Sequence, residues 1–384
     1  MSFSPSFARK SAVVAVLALL AGCGPKDGVK EFEQGMAAYE LHDLPKAERF
    51  FEESLACAAQ DVDRILFLAR VKIELGRLPE AKELVSRAVA LAGSDTDVRL
   101  LAAQTAFYVK DYKAAAAGFG AIANDASLDA DVRSQGFAGL GIVEYCRENP
   151  HLARVAFLRA LLLDRQNAAA YYHLGLIYRD NLGYLEMARD QFAMFAHWAD
   201  KTSPRVRKVQ GTMIPALDDM IAHSRADRPG ATRRNSDACG TALLKAEAAM
   251  KKGTVKAARQ AYQEALSADP LSYKAALGLA KAWEKGDATN DGLKKAFENY
   301  RLACVLNPSA ISTFLTAGSL ALKLKQYAQA VEIYSRAVAA NPVSTEALNG
   351  LIDALQKAGK PKVAQAYRAY RDSIPARSTP AKKK

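Results

Sequence analysis

Cysteine and histidine are the residues of this 384-residue chain best suited to hold a metal or attack a carbonyl, and their spacing supports neither. Cys57, Cys146, Cys239 and Cys304 form no CxxC pair or ligand-spaced cluster. The five histidines are scattered, with no HExxH pattern. Gly118-Phe119-Gly120-Ala121-Ile122-Ala123 has the letters of a dinucleotide fingerprint but sits inside a helical pattern with no strand before it, so it is set aside. Asp287, Thr289, Asp291, Gly292 and Glu298 take positions one, three, five, six and twelve of a calcium loop. Lys294 and Lys295 stand where that loop wants an apolar residue and a ligand, and their charge repels a cation. The match is partial, and the competing reading is a polar helix connection in which Asp291 caps the next helix. With no Walker loop, GxSxG elbow or other catalytic constellation, no enzyme activity, metal or cofactor is expected.

Cys23 stands apart from the other cysteines. Arg9 and Lys10 precede an apolar run from Ala12 to Gly22, too short to span a bilayer and of the right length for an export-signal core. The run ends in Leu20-Ala21-Gly22-Cys23, which resembles a bacterial lipobox, where small residues admit a peptidase and the thiol takes a diacylglycerol. The alternative is an ordinary secretory leader cut near Gly22, with Cys23 a spare thiol. The lipobox reading predicts a signal peptide over 1–22 and a lipidated Cys23. Acyl chains then anchor the protein at about 0.8 kcal/mol per buried methylene, without a transmembrane helix. Gly24 is not the aspartate that resembles an inner-membrane retention signal, so the expected location is the cell envelope, lipid-anchored at the outer membrane and facing the periplasm.

The elements that position these residues follow a repeat. Ala47, Ala81 and Ala115 are 34 residues apart, as are Ala296, Ala330 and Ala364. Four residues after most of the equivalent alanines comes a ring, as at Phe51, Phe119, Phe157, Phe192, Tyr262, Tyr300 and Tyr334, on the same helix face as the alanine. Pro270, Pro308 and Pro342 each follow twelve residues after their alanine and end a helix there. Together with Leu174-Gly175 and Leu277-Gly278, these residues resemble the tetratricopeptide repeat family. The resemblance implies an all-α, helical-hairpin solenoid wound as a right-handed superhelix, with about nine repeats in two arrays. Val85 and Arg368 depart from the pattern where a ring is expected, and one extra residue falls near Gly183.

The repeat divides the chain into the leader over 1–22, a first array of about five repeats over 23–198, a segment over 199–238, a second array of about four repeats over 239–374, and a disordered basic tail over 375–384. In the middle segment Ser203-Pro204 starts a capping helix whose apolar face is Val206, Val209, Met213, Leu217 and Ile221, kinked at Pro215. The Arg-rich stretch from Arg225 to Asn235 reads as a flexible joint. Because solenoid repeats touch mainly their neighbours, Cys239 with Cys304 is the one feasible disulfide, and all four remaining cysteines are expected to be small, semi-buried apolar residues.

The resemblance also implies that the first helix of each repeat lines a concave groove. In the first array this lining is mostly apolar, with Phe32, Met36, Tyr39, Leu66, Ile73, Phe107, Tyr145 and Tyr172 as candidate partner contacts. The equivalent positions of the second array carry no aromatic residue. Such a groove fits an amphipathic helix or extended apolar segment of an envelope protein. The expected function is a lipid-tethered periplasmic scaffold or assembly factor. The net charge of +12 offers an alternative, a cell-wall or polysaccharide binder gripping anionic polymer with its basic joint and tail. Nucleic acid is not an expected partner of an exported protein.

Overall fold

The computed structural model describes residues 27–226 and 234–375. Cys23 with its leader, most of the basic joint and nearly all of the tail lie outside the described residues. Among the described residues every regular element is a helix, and none is long and apolar enough to cross a membrane.

The helices come in antiparallel pairs. In the first half α1 (Val29–Glu40) pairs with α2 (Leu44–Cys57), and α3 (Val62–Glu74) with α4 (Leu78–Ala92). Then α5 (Thr96–Tyr108) pairs with α6 (Tyr112–Asn124), and α7 (Ala130–Cys146) with α8 (Pro150–Leu163). Helix α9 (Ala168–Leu176) runs on through a π turn at Ile177–Asn181 and is followed by α10 (Leu185–Trp198). A further helix begins as α11 (Pro204–Lys208), passes a π turn at Val209–Met213 and continues as α12 (Ile214–Ala226). Four more pairs follow: α13 (Ser236–Lys251) with α14 (Val255–Ala268), and α15 (Tyr273–Gly286) with α16 (Asn290–Leu306). The last are α17 (Ile311–Lys323) with α18 (Tyr327–Ala340), and α19 (Thr345–Lys357) with α20 (Pro361–Asp372). The chain forms two compact units that divide between His173 and Leu174, within α9.

Turn chemistry explains why the pairs recur. Between the two helices of a hairpin, the residue at one fixed position adopts a left-handed conformation: His42, Gly76 and Lys110 at 34-residue steps, and again Lys325 and Gly359. The N–H of the next residue then bonds five residues back, as in Asp43 to Ala38 at 2.9 Å and Arg77 to Lys72 at 2.8 Å, closing a Schellman-type cap. At the other turns, Asp269, Asn307 and Asn341 precede the three repeat prolines and leave the helix in extended conformations, because proline disfavours the α region for its predecessor. Their side chains accept the N–H two residues on, at Leu271, Ser309 and Val343.

Packing rests on the small-and-ring pattern. Ala47, Ala81, Ala115, Ala153, Ala188, Ala258, Ala296 and Ala330 are fully buried, and the repeat rings lie at 7% exposure or less. Every repeat ring except Tyr300, whose hydroxyl donates to Glu284 at 2.7 Å, presses on a glycine. A Cβ added at Gly35 would stand 2.7 Å from the Phe51 ring, at Gly141 2.7 Å from Phe157, and at Gly175 2.6 Å from Phe192. Tyr334 is held between Gly318 of its own hairpin and Gly350 of the next. Phe119 likewise meets Gly139, and Tyr262 meets Gly278, each on the following hairpin. The rings therefore join both the helices of one hairpin and successive hairpins.

Several departures are resolved by local geometry. The extra residue near Gly183 is absorbed by the π turn over Ile177–Asn181 and a left-handed Gly183. Arg368 is exposed, and Tyr367 and Tyr370 are buried in its place, so the final ring shifts one residue back toward the helix start. In the middle helix Ser203 caps the start, and Val206, Val209, Met213, Leu217 and Ile221 are all buried as the spacing predicts. Its irregularity is a π turn just ahead of Pro215, where the proline lacks the N–H that would continue the ladder. Cys239 and Cys304 are separate buried thiols, not a disulfide. Cys57 is exposed rather than semi-buried, and burial pushes the Cys304 thiol up to about 12, which keeps it an inert thiol.

One ion cluster closes the interval between α2 and α4. Lys72 of α3, 5% exposed, meets Glu48 at 2.5 Å, Glu52 at 2.7 Å and Glu80 at 2.8 Å, while Arg77 reaches Glu48 at 2.6 Å. Burial pulls the Lys72 ammonium down, but the three carboxylates bonded to it raise it well above the usual lysine range. The same bond holds the Glu80 carboxyl below its ordinary value of 4.5.

Two outcomes follow from these contacts. Because left-handed backbone costs a side chain about 1 kcal/mol relative to glycine, Lys110→Gly and Lys325→Gly should each raise the urea midpoint, whereas Gly76→Ala should lower it by a similar amount. Lys72→Ala should lose about 1–2 kcal/mol at neutral pH, because Glu52 and Glu80, both half exposed, lose their cation while Glu48 keeps Arg77. The folded pKa of Glu80 is depressed, so its contribution is present above its ordinary pKa of 4.5 and is lost as pH falls through the folded value. The gap between wild type and Lys72→Ala should therefore narrow in unfolding curves below about pH 4.

Candidate partner-binding groove

All eight candidate contacts lie in the first unit, on the first helices of successive hairpins. The structure sorts them into groups. Phe32, Met36 and Tyr39 of α1 and Ile73 of α3 are half-buried and rest on the core formed around Phe51, Leu68 and Ala69. The Phe32 ring stands 5.6 Å from Phe51 and 5.4 Å, edge-on, from Phe67. Leu66, at 3% exposure, belongs to that core itself. Phe107 is also buried, at 7%, against the rings of Tyr108 at 5.6 Å and Tyr112 at 5.8 Å. Tyr145 and Tyr172 form a second group around His173, at 6.4 Å and 5.3 Å, and His173 itself stacks on Phe157 at 5.3 Å.

Polar residues that apolar periodicity does not single out share this face. Tyr39 donates its hydroxyl to the Glu74 carboxylate. Burial, followed by that hydrogen bond to an anion, pushes the Tyr39 phenol far above the usual tyrosine range. Arg70 lies 5.1 Å over the Phe67 ring in the field of Asp97, Tyr39 and Asp63. Burial raises the Asp63 carboxyl, with Asp61 and Asp95 adding to the effect. The sequence signal for Arg70 was present, since it falls 34 residues after Met36 in the same helix register. The face is thus an apolar floor with one cation and a carboxylate row at its edge, suited to a segment that is apolar on one side and charged on the other.

The calcium-loop residues do not converge. Helix α16 starts at Asn290, so Asp291 and Glu298 lie along a helix rather than in a loop that could wrap a cation. The cap is Thr289 and not Asp291: its hydroxyl accepts the Gly292 N–H at 3.2 Å and is held in place by Asp287 at 2.5 Å. Asp291 instead pairs with Lys295 at 2.7 Å, and Glu298 with Arg301 at 3.6 Å. No group of three metal-ligating side chains occurs among the described residues.

The sequence matches models of the tetratricopeptide repeat over residues 38–105, and over 243–301 and 315–378. No curated protein matches it. Among solved structures, Pseudomonas aeruginosa pilF is 16% identical, with a TM-score of 0.39 over 65% of this chain and 95% of that one. MamA from Desulfovibrio magneticus RS-1 is 17% identical, with a TM-score of 0.36 over 46% of this chain and 97% of that one. The APC/C hetero-tetramer Cut9–Hcn1 is 15% identical, with a TM-score of 0.35 over 91% of this chain and 80% of that one.

The hydroxyl of half-buried Tyr39 makes a direct check of the groove's geometry. Tyr39→Phe should cost about 1 kcal/mol through the lost bond to Glu74. In a spectrophotometric titration of the folded protein, the same substitution should leave the phenolate absorbance at pH 11 unchanged, because Tyr39 is still protonated there.

Proposed function

The chain belongs to the tetratricopeptide repeat family, and from that premise we propose that it is a protein-binding scaffold tethered by lipid to the periplasmic side of the bacterial envelope. The family presents surfaces rather than catalytic groups, which leaves the groove as the place where a partner is held. The observation that carries the reading is the set of half-exposed side chains Phe32, Met36, Tyr39 and Ile73 seated on a rigid core. A partner segment laid on them would remove apolar surface from water at about 25 cal/mol per Å², without reorganising the hairpins beneath. Its polar side would meet Arg70 and the carboxylates of Asp63 and Asp97. Buried Leu66 and Phe107 would hold the floor rather than touch the ligand.

The tether rests on Leu20-Ala21-Gly22-Cys23 and the charged, apolar leader ahead of it. Acyl chains on Cys23 would place the array at a membrane surface and raise its effective concentration toward envelope partners.

Crosslinking in intact membranes tests the binding reading, comparing wild type with a Met36→Ala, Tyr145→Ala double variant of unchanged circular dichroism. Wild type should capture one envelope protein that the variant holds at least about tenfold more weakly. Equal capture by both would remove the groove from the binding reaction. Independently, Cys23→Ser should move the protein from the membrane to the soluble fraction, and a variant still sedimenting with membranes would refute the tether.

A further inference from the structure

Between α4 and α6, on a floor made by α5, lies an open cavity of about 320 Å³. The interval one repeat earlier, between α2 and α4 on α3, is filled twice over. Phe51 closes its base, and the Lys72 cluster closes its mouth. Moving 34 residues along the chain turns Glu48 and Arg77 into Lys82 and Asp111, at the cavity's edge, and shrinks the other four members of that plug. Phe51 becomes Val85, Lys72 becomes Ala106, Glu80 becomes Ala114 and Glu52 becomes Ser86. Each replacement is smaller, and all four line the cavity. One repeat later the ring returns as Phe119, pressed on Gly139. The cavity is therefore a property of one interval, created where both the ring and the ion cluster are withdrawn together.

The lining has a definite chemistry. Thr105 donates its hydroxyl to the Leu101 carbonyl at 2.7 Å, and the exposed Asp111 carboxylate at the far edge accepts the Ala114 N–H at 3.0 Å while keeping its charge. Between Asp111 on the α6 side and the exposed Lys82 on α4, the wall is mainly apolar, with Val89 44% exposed at its edge. Lys82 stands where the previous repeat has Glu48, and no described carboxylate lies within ion-pair distance of it. An apolar cavity of about 150 Å³ already accepts a benzene ring.

We propose that this cavity is a second docking site, which receives a bulky aromatic side chain from a partner protein, with an acidic residue next to it pairing with Lys82. The inserted ring takes the space that Phe51 and Phe119 fill from within the chain in the neighbouring intervals. The carboxylate supplies the charge complement that Lys82 lacks. The site uses α4, α5 and α6 and shares no residue with the groove around Phe32, Met36 and Tyr39, so it stands or falls separately.

Methyl NMR of the full-length protein with acetyl-Phe-Glu-amide as probe tests this directly. The probe should shift the methyls of Val85, Val89 and Val109, and acetyl-Phe-Gln-amide should bind severalfold more weakly. Val85→Phe should abolish the shifts at Val89 and Val109 while leaving thermal stability at or above wild type, since it restores the missing ring. Ala106→Leu fills the cavity from the opposite wall and should also block the probe, which guards against misfolding of the first variant. The Met36→Ala, Tyr145→Ala variant should bind the probe as wild type does. Shifts that survive both filling substitutions would overturn the proposal, as would equal binding of acetyl-Ala-Glu-amide. Tighter binding of free 3-phenylpropionate than of the peptide would overturn the protein occupant in favour of a small aromatic acid.

Discussion

A ring lying on the bare backbone of a glycine sets the distance between helices in six of the repeats of this protein. At Gly278 and Gly350 a Cβ would fall 2.2 Å from a tyrosine ring, and at Gly139 2.4 Å from Phe119, so the approach is fixed by main-chain atoms that cannot be repacked. Once the spacing is fixed, the remaining faces of each helix are assigned: one packs on the partner helix, one on the next hairpin, and one is left to solvent. Because Phe119, Tyr262 and Tyr334 reach into the following hairpin, those hairpins do not bury their rings alone.

Against so regular a frame, deviations fall where they can be absorbed without moving a ring. An inserted residue is taken up by the π turn of Ile177–Asn181, and Pro215 is accommodated by a second π turn immediately before it. The longer connection in the repeat of α15 and α16 is closed locally by Asp287 and Thr289. Beside the joint, Arg234 makes a two-pronged contact of 2.9 Å with Asp269, whose carboxyl that guanidinium holds below the usual range. The start of α13 is thereby tied to the end of α14.

Function in this architecture comes from what a repeat position does not do for the fold. Phe51 and Phe119 sit under their neighbours and serve the frame, whereas Phe32, Met36, Tyr39 and Ile73 are only half covered and remain available. The same logic governs the interval between α4 and α6. There Val85 and Ala106 no longer supply the bulk that Phe51 and Lys72 supply one repeat earlier. A solenoid tolerates such a vacancy because its stability is a sum of neighbouring interfaces, and one incomplete interval leaves the others intact.

The sequence alone determined the fold class and most helix boundaries, because these depend on contacts made within a few residues. An alanine and a ring four residues apart share a helix face whatever surrounds them, and Ser203-Pro204 or Asn341-Pro342 starts or stops a helix through its own backbone chemistry. Only the tertiary structure decided which side chain in a register is covered. Tyr367 and Tyr370 are buried while Arg368 between them is exposed, and Phe107 is buried while Tyr39, at the same repeat position, stays half exposed. Burial depends on the volumes contributed by two or three other helices, and periodicity along one helix carries no measure of those volumes.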